Sequence, residues 1–373
     1  MIYFDSAATT LQKPPSVARA MVRTMKACAS PGRGGHPPAN RAAEAVYRCR
    51  QEAAGLFGMD DPQRVVFTSS ATHALNLAIK SVAAPGDRVL VSGYEHNAVL
   101  RPLAAIGNIR VEQAAAPLFD RAALLESFLR RIDGVSAVIC THVSNVFGFI
   151  LPVEEIGALC RERQIPFVVD AAQSAGLLPL SFPRLGADFV AMPGHKSLYG
   201  PQGTGLLLCG ERPVRTLLEG GTGSLSALSE MPDFLPDRLE AGTHNVPGIA
   251  GLREGIRFVR ARGPEHILRH ERQLAGQLVG ALSQLPGVTV CSGGPEESRS
   301  GVVSFCVRDT DCETLGDLLA GEGICVRAGL HCAPAAHRSA GTLETGTVRV
   351  SFSIFNTPAQ VRQFCTVLRR LIR

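Results

Sequence analysis

The amino-terminal two thirds of the chain alternates short apolar runs with segments of helical periodicity. The runs are rich in β-branched residues and predict strands at 64–68, 88–91, 136–140, 166–170 and 188–191, with a helical stretch through 74–79. Several runs are apolar on both faces, which is typical of parallel strands covered by helices on each side. A further run at 203–208 follows a Gly/Pro turn and predicts a strand at the edge of the sheet. The pattern therefore predicts an α/β fold with a mostly parallel sheet.

The remainder of the chain has a different pattern. Residues 218–248 are rich in Gly, Pro, Ser and Thr with little periodicity, which indicates a long functional crossover. Helical patterns follow at 249–262 and 264–285, and strands are predicted near Val288, Val302 and Val348. Thr357 is a suitable cap for a last helix, with Pro358 at its first position. This second part is predicted to be a small α+β domain.

Length supports two domains, because 373 residues exceed the usual size of a single core. We predict an amino-terminal arm at 1–14 that packs with the small domain. A large domain follows at 15–245 and a small carboxy-terminal domain at 246–373.

Composition excludes several classes of protein. A net charge of +5 without a long basic run disfavours nucleic acid, and no apolar stretch reaches the roughly 18 residues of a membrane span. The start of the chain lacks the pattern of a signal peptide, so we expect a cytoplasmic protein. The eleven cysteines are odd in number and form no C-x-x-C, which supports neither a disulfide framework nor a zinc site. Cys140 and Cys209 are interpreted as core residues.

Candidate chemistry begins at Lys196, which closely follows the apolar run at 188–191. A lysine at the end of a buried strand is desolvated, which lowers its pKa and frees its amine as a nucleophile. Taken alone, Lys196 is more simply a surface lysine. Asp170 ends another predicted strand, at the edge where open α/β sheets bind ligands. An aspartate there can pair with a pyridinium nitrogen, although a strand-end cap is the simpler interpretation of a lone Asp. Gln173 is a candidate for a hydrogen bond to the phenolic oxygen of such a ring.

Two further strand ends carry candidate cofactor contacts. Residues 67–72 predict a strand, small hydroxyl residues and a helix start, so backbone N–H groups at Ala71 and Thr72 suit a phosphate. A plain helix cap is an equal alternative. His96 follows the strand at 88–91, and its flat imidazole can stack on an aromatic cofactor. The alternative is a surface histidine in a turn.

The order and spacing of these residues resemble the class V aminotransferase family. Asp170 is followed 26 residues later by Lys196 in Gly-His-Lys, with the Ala-Thr turn upstream and His96 between. The resemblance runs over essentially the whole chain, beginning at residues 4–10. It implies a fold-type I architecture with a large domain containing a mostly parallel seven-stranded sheet. It also implies pyridoxal 5′-phosphate (PLP) bound to Lys196, with His195 among the cofactor contacts. The family forms homodimers with shared active sites, in which Thr243 would reach the phosphate of the neighbouring subunit.

The segment 327–334 indicates which subfamily the chain resembles. Cys332 lies in a polar loop, where flexibility at Gly329 and positive charge from Arg327 and a protonated His331 would favour a thiolate. The segment looks like the catalytic-cysteine loop of cysteine desulfurases and selenocysteine lyases. Arg349 matches the arginine that binds the substrate carboxylate, and Asn145 matches a residue beside cofactor and substrate. Arg327 is a further candidate for substrate binding.

The resemblance implies conversion of L-cysteine to L-alanine, with Lys196 moving the α-proton and His96 assisting. The Cys332 thiolate attacks the substrate sulfur, and the resulting persulfide passes to an acceptor protein or small thiol. Three alternative functions stay open. The protein could be a selenocysteine lyase, with L-selenocysteine as substrate, or another class V aminotransferase or epimerase. The third alternative is a catalytically silent interaction protein. No metal is expected. Two residues depart from the family pattern: Pro193 replaces a common Ser or Thr at the phosphate, and Leu330 replaces a histidine before His-Cys.

Overall fold

A computed structural model describes residues 1–32 and 34–372 of the chain. The strands are β1 (Ile2–Tyr3), β2 (Val65–Thr68), β3 (Arg88–Ser92), β4 (Arg110–Ala114), β5 (Ala137–Thr141), β6 (Phe167–Asp170), β7 (Phe189–Pro193), β8 (Gly205–Cys209), β9 (Val288–Val290), β10 (Val302–Val307), β11 (Ile324–Cys325), β12 (Arg327–Gly329) and β13 (Thr347–Ser351). The α-helices are α1 (Pro15–Ala27), α2 (Pro37–Phe57), α3 (Ala71–Val82), α4 (Asn97–Ile106), α5 (Arg121–Leu129), α6 (Val153–Glu162), α7 (Phe182–Leu185), α8 (Val246–Arg262), α9 (Pro264–Leu282), α10 (Cys312–Gly321), α11 (Pro334–Ala340) and α12 (Pro358–Leu371).

The large sheet has seven strands in the order β2-β8-β7-β6-β5-β3-β4. The pairs from β7 to β4 are parallel, while β8 is antiparallel to both β2 and β7. The mostly parallel sheet is therefore confirmed. Every residue of β5, β6 and β7 is buried, as their apolar faces predict. Because the parallel strands share one direction, their carboxyl ends meet at one edge of the sheet.

Two details of the predicted sheet were wrong or missing. Strand β8 lies inside the sheet between β2 and β7, whereas the sequence pattern placed it at the edge. Its five residues are all buried, which an interior position explains. The edge on one side is instead β4, which was not predicted. Its sequence Arg-Val-Glu-Gln-Ala is largely exposed and lacks the apolar run by which the other strands were found.

The smaller sheet is antiparallel, in the order β12-β13-β10-β9. One face packs with α9, α10 and α12 in a separate hydrophobic core. The opposite face contacts the part of the molecule that contains the seven-stranded sheet. There, the Ser304 hydroxyl donates to the carbonyl of Val146 at 2.6 Å. Helix α12 begins with the predicted cap at Thr357. The Thr357 side chain accepts from the Gln360 N–H, and the Gln360 side chain accepts from the Thr357 N–H, which completes a capping box.

The amino terminus joins this second part of the molecule. Strand β1 pairs in parallel with β11, and Phe4 is fully buried in the core of the smaller sheet. Helix α8, in contrast, packs against α1 and α2. The domain boundaries at residues 14 and 245 stay a prediction. Across residues 1–32 and 34–372, no helix combines the length and apolarity that a bilayer crossing requires.

Candidate active site

A cavity lies at the carboxyl ends of the parallel strands, where the sequence predicted ligand contacts. Eight of the predicted site residues line it together: Ala71, Thr72, His96, Asn145, Asp170, Gln173, His195 and Lys196. Pro193, the residue that departs from the family pattern, is also in its wall. The cavity lining does not include Arg327, Cys332, Arg349 or Thr243.

Lys196 follows β7 by three residues, and its backbone is held in place by the amino-terminal segment. The Thr10 hydroxyl lies 3.0 Å from the His195 carbonyl and 3.2 Å from the Lys196 carbonyl, and the Thr10 N–H donates to the His195 carbonyl at 3.2 Å. Burial lowers the pKa of the Lys196 amine to about 8, and the nearby Asp170 carboxylate opposes this shift. A substantial fraction of the amine is therefore neutral and nucleophilic near pH 8, as the sequence pattern predicted.

Asp170 is buried at the end of β6, with 3% of its surface exposed. Its Oδ1 accepts from the Ala172 N–H at 2.9 Å, and its Oδ2 has no hydrogen-bond partner in the described residues. Burial raises the pKa of Asp170, against the opposing effects of the Ala172 hydrogen bond and of Lys196. A buried carboxyl with a free oxygen at the cavity suits a protonated ring nitrogen, which would satisfy it with a charge-assisted hydrogen bond.

The cavity lining also contains the start of helix α3. The Ser70 side chain caps this helix by accepting from the His73 N–H at 3.2 Å. The N–H groups of Ala71 and Thr72 precede the first intrahelical bond, so they have no acceptor within the helix. Both residues line the cavity. Free N–H groups at the positive end of a helix dipole form a site for a phosphate.

His96 has a fixed orientation at the cavity wall. It is the cap of α4, where its Nδ1 accepts from the Ala98 N–H at 3.0 Å, so the ring proton of the neutral form is on Nε2. Burial and the positive charge of Lys196 lower the pKa of His96 to about 4. Burial likewise lowers the pKa of His195 to about 4. Both imidazoles are therefore neutral at physiological pH.

Arg349 lies on β13, outside the cavity lining, and is connected to it through Asn145. Its guanidinium is buried, with Nη1 donating to the Asn145 carbonyl at 2.9 Å and Nη2 to Asp5 Oδ1 at 2.6 Å. Its Nε is buried without a partner among the described residues. A buried guanidinium N–H without an acceptor is costly, and an added carboxylate would satisfy it.

Asn145 also links Arg349 to the loop that carries Cys332. Its Nδ2 donates to the His331 carbonyl at 2.9 Å, and the Asn97 N–H donates to the Cys332 carbonyl at 2.8 Å. His331 and Cys332 both have left-handed backbone angles, with φ of 50° and 56°. Two consecutive non-glycine residues in this region are strained and depend on such anchors. The Cys332 side chain is exposed.

The expected charge environment of this thiol requires a correction. His331 is buried, and its Nε2 contacts the Thr347 carbonyl at 3.1 Å. Burial lowers the pKa of His331 to about 2, with a further contribution from Arg349, so the ring is neutral and supplies no positive charge. Arg327 is exposed and lies directly opposite Arg349 in the β12–β13 pair. It therefore supplies positive charge at this end of the site.

Thr243 lies apart from the other predicted residues. It is exposed, and both Thr243 and His244 line two other cavities. Neither of these cavities is lined by Lys196.

Sequence reasoning missed two acidic residues of the site. Asp5 forms the ion pair with Arg349 described above. Glu95 is fully buried, and its Oε1 accepts from the Thr141 N–H at 2.8 Å, which ties the ends of β3 and β5 together. Burial raises the pKa of Glu95 to about 8, and Asp170 adds a like charge. Glu95 is adjacent to His96 in the sequence, but no local pattern distinguishes a buried acid from an exposed one.

A mostly parallel seven-stranded sheet with a desolvated lysine and a buried aspartate at its carboxyl edge is a fold-type I architecture. The model of the family described as aminotransferase class-V matches residues 2–364, and the chain belongs to this family.

Individual relatives narrow the comparison. A probable cysteine desulfurase of Mycolicibacterium paratuberculosis is 33% identical, over 100% of this chain and 55% of its own length. The chain thus spans about half the length of that relative. A probable cysteine desulfurase of Methanothermobacter thermautotrophicus is 32% identical, over 97% of this chain and 92% of its own length. The apo structure of a cysteine desulfurase from Thermococcus onnurineus NA1 superposes with a TM-score of 0.91 at 32% identity, covering 100% of this chain and 94% of that one.

Proposed function

We propose that the protein is a PLP-dependent cysteine desulfurase, which converts L-cysteine to L-alanine and takes up the sulfur as a persulfide on Cys332. One observation carries the proposal: the cavity with Lys196 and Asp170 is connected through Asn145 to both Arg349 and the exposed Cys332 loop. An amine, a carboxylate-binding group and a thiol are the three groups that this reaction needs. The similarity to cysteine desulfurases supports the same activity.

The cavity residues fit the cofactor at both of its ends. Asp170 would pair with the ring nitrogen, while the N–H groups of Ala71 and Thr72 would hold the phosphate. His96 would lie against the ring, and the Gln173 side chain would reach its phenolic oxygen. When bound, PLP supplies an electron sink for the bonds at the substrate α-carbon. Pro193 has no N–H to donate to the phosphate, so the start of α3 would carry more of that contact.

Substrate binding and proton transfer are assigned to Arg349 and Lys196. The Arg349 guanidinium would bind the α-carboxylate of L-cysteine through its unpartnered Nε edge. The Lys196 amine, with its pKa near 8, would take the proton from the substrate α-carbon and return it to the β-carbon when alanine forms. The neutral His96 is positioned to assist proton movement through Nε2.

Sulfur transfer is assigned to Cys332. Its thiolate would attack the substrate sulfur, so that an S–S bond forms while the substrate C–S bond breaks and its electron pair stays with the carbon skeleton. Because the thiol is exposed, the persulfide would be accessible to an acceptor protein or a small thiol.

We further propose that the protein acts as a homodimer with shared active sites.

The test compares wild type with Cys332→Ala after incubation with PLP, a reductant and L-cysteine, measuring sulfide and alanine. We expect the variant to lose activity on the order of a hundredfold or more, because the nucleophile is removed. Cys325→Ala is a matched control, since this half-buried thiol lies on β11 close in sequence. Alanine formed from L-selenocysteine alone would identify a selenocysteine lyase. No alanine from either substrate would contradict the proposal. Borohydride reduction and peptide mapping should place PLP on Lys196.

A further inference from the structure

The segment from Asp5 to Lys13 makes a series of contacts with residues of the candidate site. The Gln173 side chain donates to the Ala7 carbonyl at 3.0 Å, and the Lys13 amine donates to the His195 carbonyl at 2.7 Å. At the other end of the segment, the Asp5 carboxylate forms an ion pair with Arg349, with Oδ1 2.6 Å from Nη2. This segment therefore contacts both the cofactor end and the carboxylate end of the site.

Arg349 is in an electrostatically costly position that Asp5 relieves. Only 2% of Arg349 is exposed, and Arg327 lies opposite it in the β12–β13 register. Like charges directly opposite on one face of a sheet destabilise it. Asp5 supplies a carboxylate in direct contact with the buried member of this pair. Its charge leaves the two arginines with one net positive charge for an incoming carboxylate.

The backbone of Asp5 is anchored by contacts with its neighbours, which places its carboxylate beside Arg349. Its backbone bridges to Ser351, and the Ser351 N–H donates to the Phe4 carbonyl at 2.8 Å. The Tyr3 hydroxyl donates to the Thr9 carbonyl at 2.8 Å and also lies 3.2 Å from the Asp5 carbonyl. With Nη2 fixed by Asp5 and Nη1 fixed by Asn145, the guanidinium plane has one orientation, and its Nε–H has no partner among the described residues.

We propose that Asp5 is a positioning residue that orients Arg349 for the α-carboxylate of an amino-acid substrate. The inference rests on the proposed function, because it assumes that Arg349 binds this carboxylate. Asp5 acts through Arg349 and makes no contact with the reacting atoms.

The experiment titrates the PLP-loaded protein with L-alanine and with L-alaninamide, following the absorbance of the cofactor. The two ligands share an α-amino group, but only L-alanine carries the carboxylate. Asp5→Ala removes the partner of Nη2, whereas Asp5→Asn keeps an oxygen acceptor and is the rescue variant if Asp5→Ala fails to fold. Glu126→Gln removes one charge at an exposed pair with Arg130 and is the matched control. KM and kcat for L-cysteine are measured in parallel.

We expect Asp5→Ala to weaken L-alanine binding by roughly tenfold, because loss of the partner that fixes Arg349 Nη2 outweighs the attraction from the extra net positive charge, and to leave L-alaninamide binding within about twofold. The KM for L-cysteine should rise by a similar factor with kcat little changed, and Asp5→Asn should lie close to wild type. Equal weakening of both ligands, or loss of thermal stability without selective loss of L-alanine, would overturn the inference. A wild type that binds L-alanine but releases no sulfide from L-cysteine overturns the proposed desulfurase and not the role of Asp5.

Discussion

At Lys196, burial and a nearby charge act in opposite directions on a single amino group. Burial lowers the pKa, the Asp170 carboxylate raises it, and the net result is a value near 8. In the proposed attachment of PLP to Lys196, the neutral amine would be the reactive form. Its fraction therefore increases as the pH rises through about 8, whereas an exposed lysine would need a pH near 10.4.

We predict that the rate of PLP uptake by the apoprotein rises about tenfold per pH unit below pH 7 and levels off above about pH 8. Absorbance of the bound cofactor, followed from pH 6 to 10, measures this rate. Asp170→Asn removes the carboxylate that opposes the shift, so its profile should move to lower pH. A wild-type rate that keeps increasing through pH 10 would contradict a desolvated Lys196.

At the scale of elements, a buried ion pair attaches the crossover at 218–248 to the large sheet. Glu240 in this segment accepts two hydrogen bonds from the Arg50 guanidinium of α2, and its Oε1 accepts from the Phe67 N–H of β2 at 2.6 Å. Burial alone would raise the pKa of Glu240, but Arg50 and the hydrogen bond from His244 outweigh it and hold the pKa below its usual value.

We predict that Glu240→Gln lowers the free energy of unfolding by about 3 kcal/mol, because Arg50 is left as an uncompensated buried charge. Urea denaturation at neutral pH measures the loss. Since the folded pKa of Glu240 is depressed, this stabilisation is present above pH about 4.5 and is lost as the pH falls through the folded pKa. Glu44→Gln, at an exposed i,i+4 pair with Arg48, is the control and should cost at most about 0.5 kcal/mol. Equal effects of the two substitutions would show that burial of the pair is unimportant.

Local and long-range features of these elements differ in how far the sequence predicts them. The cap at Thr357 and the buried strands β5 to β7 were predicted, because their signals lie within a few residues. The interior place of β8 depends on pairing with strands distant in the chain, and periodicity contains no information about that order. The same holds for Asp5 and Arg349, which are 344 residues apart. Most of the cavity residues were found because they lie at strand ends that converge, and Asn145 and His195 were found through the family resemblance. The neutral state of His331, in contrast, depends on its tertiary burial.

At the scale of the whole molecule, Thr243 and its surroundings differ from the rest of the site. Thr243 is exposed and does not line the Lys196 cavity. The crossover at 218–248, which contains Thr243, also has exposed apolar side chains at Leu225, Leu228 and Phe234. Leu225 and Leu228 line the same cleft, and apolar side chains exposed together on a surface are typical of protein contacts. These features favour the proposal that a second copy of the chain covers this surface and that Thr243 contributes to the partner's phosphate site.

Mixed dimers test this assignment, using differently tagged subunits and two affinity steps. In one hybrid, a Lys196→Ala subunit is paired with a Thr243→Val subunit, so the intact Lys196 receives Thr243 from its neighbour. In the matched control hybrid, both substitutions are in one subunit, so the intact Lys196 faces Val at position 243 of its neighbour. We predict normal PLP affinity in the first hybrid and roughly tenfold weaker affinity in the control, for one lost phosphate hydrogen bond. Weaker PLP affinity in the first hybrid and normal affinity in the control would show that Thr243 acts within its own subunit. Sedimentation at twice the chain mass of 39.6 kDa must accompany the result, because a monomer would exclude any exchange of residues between sites.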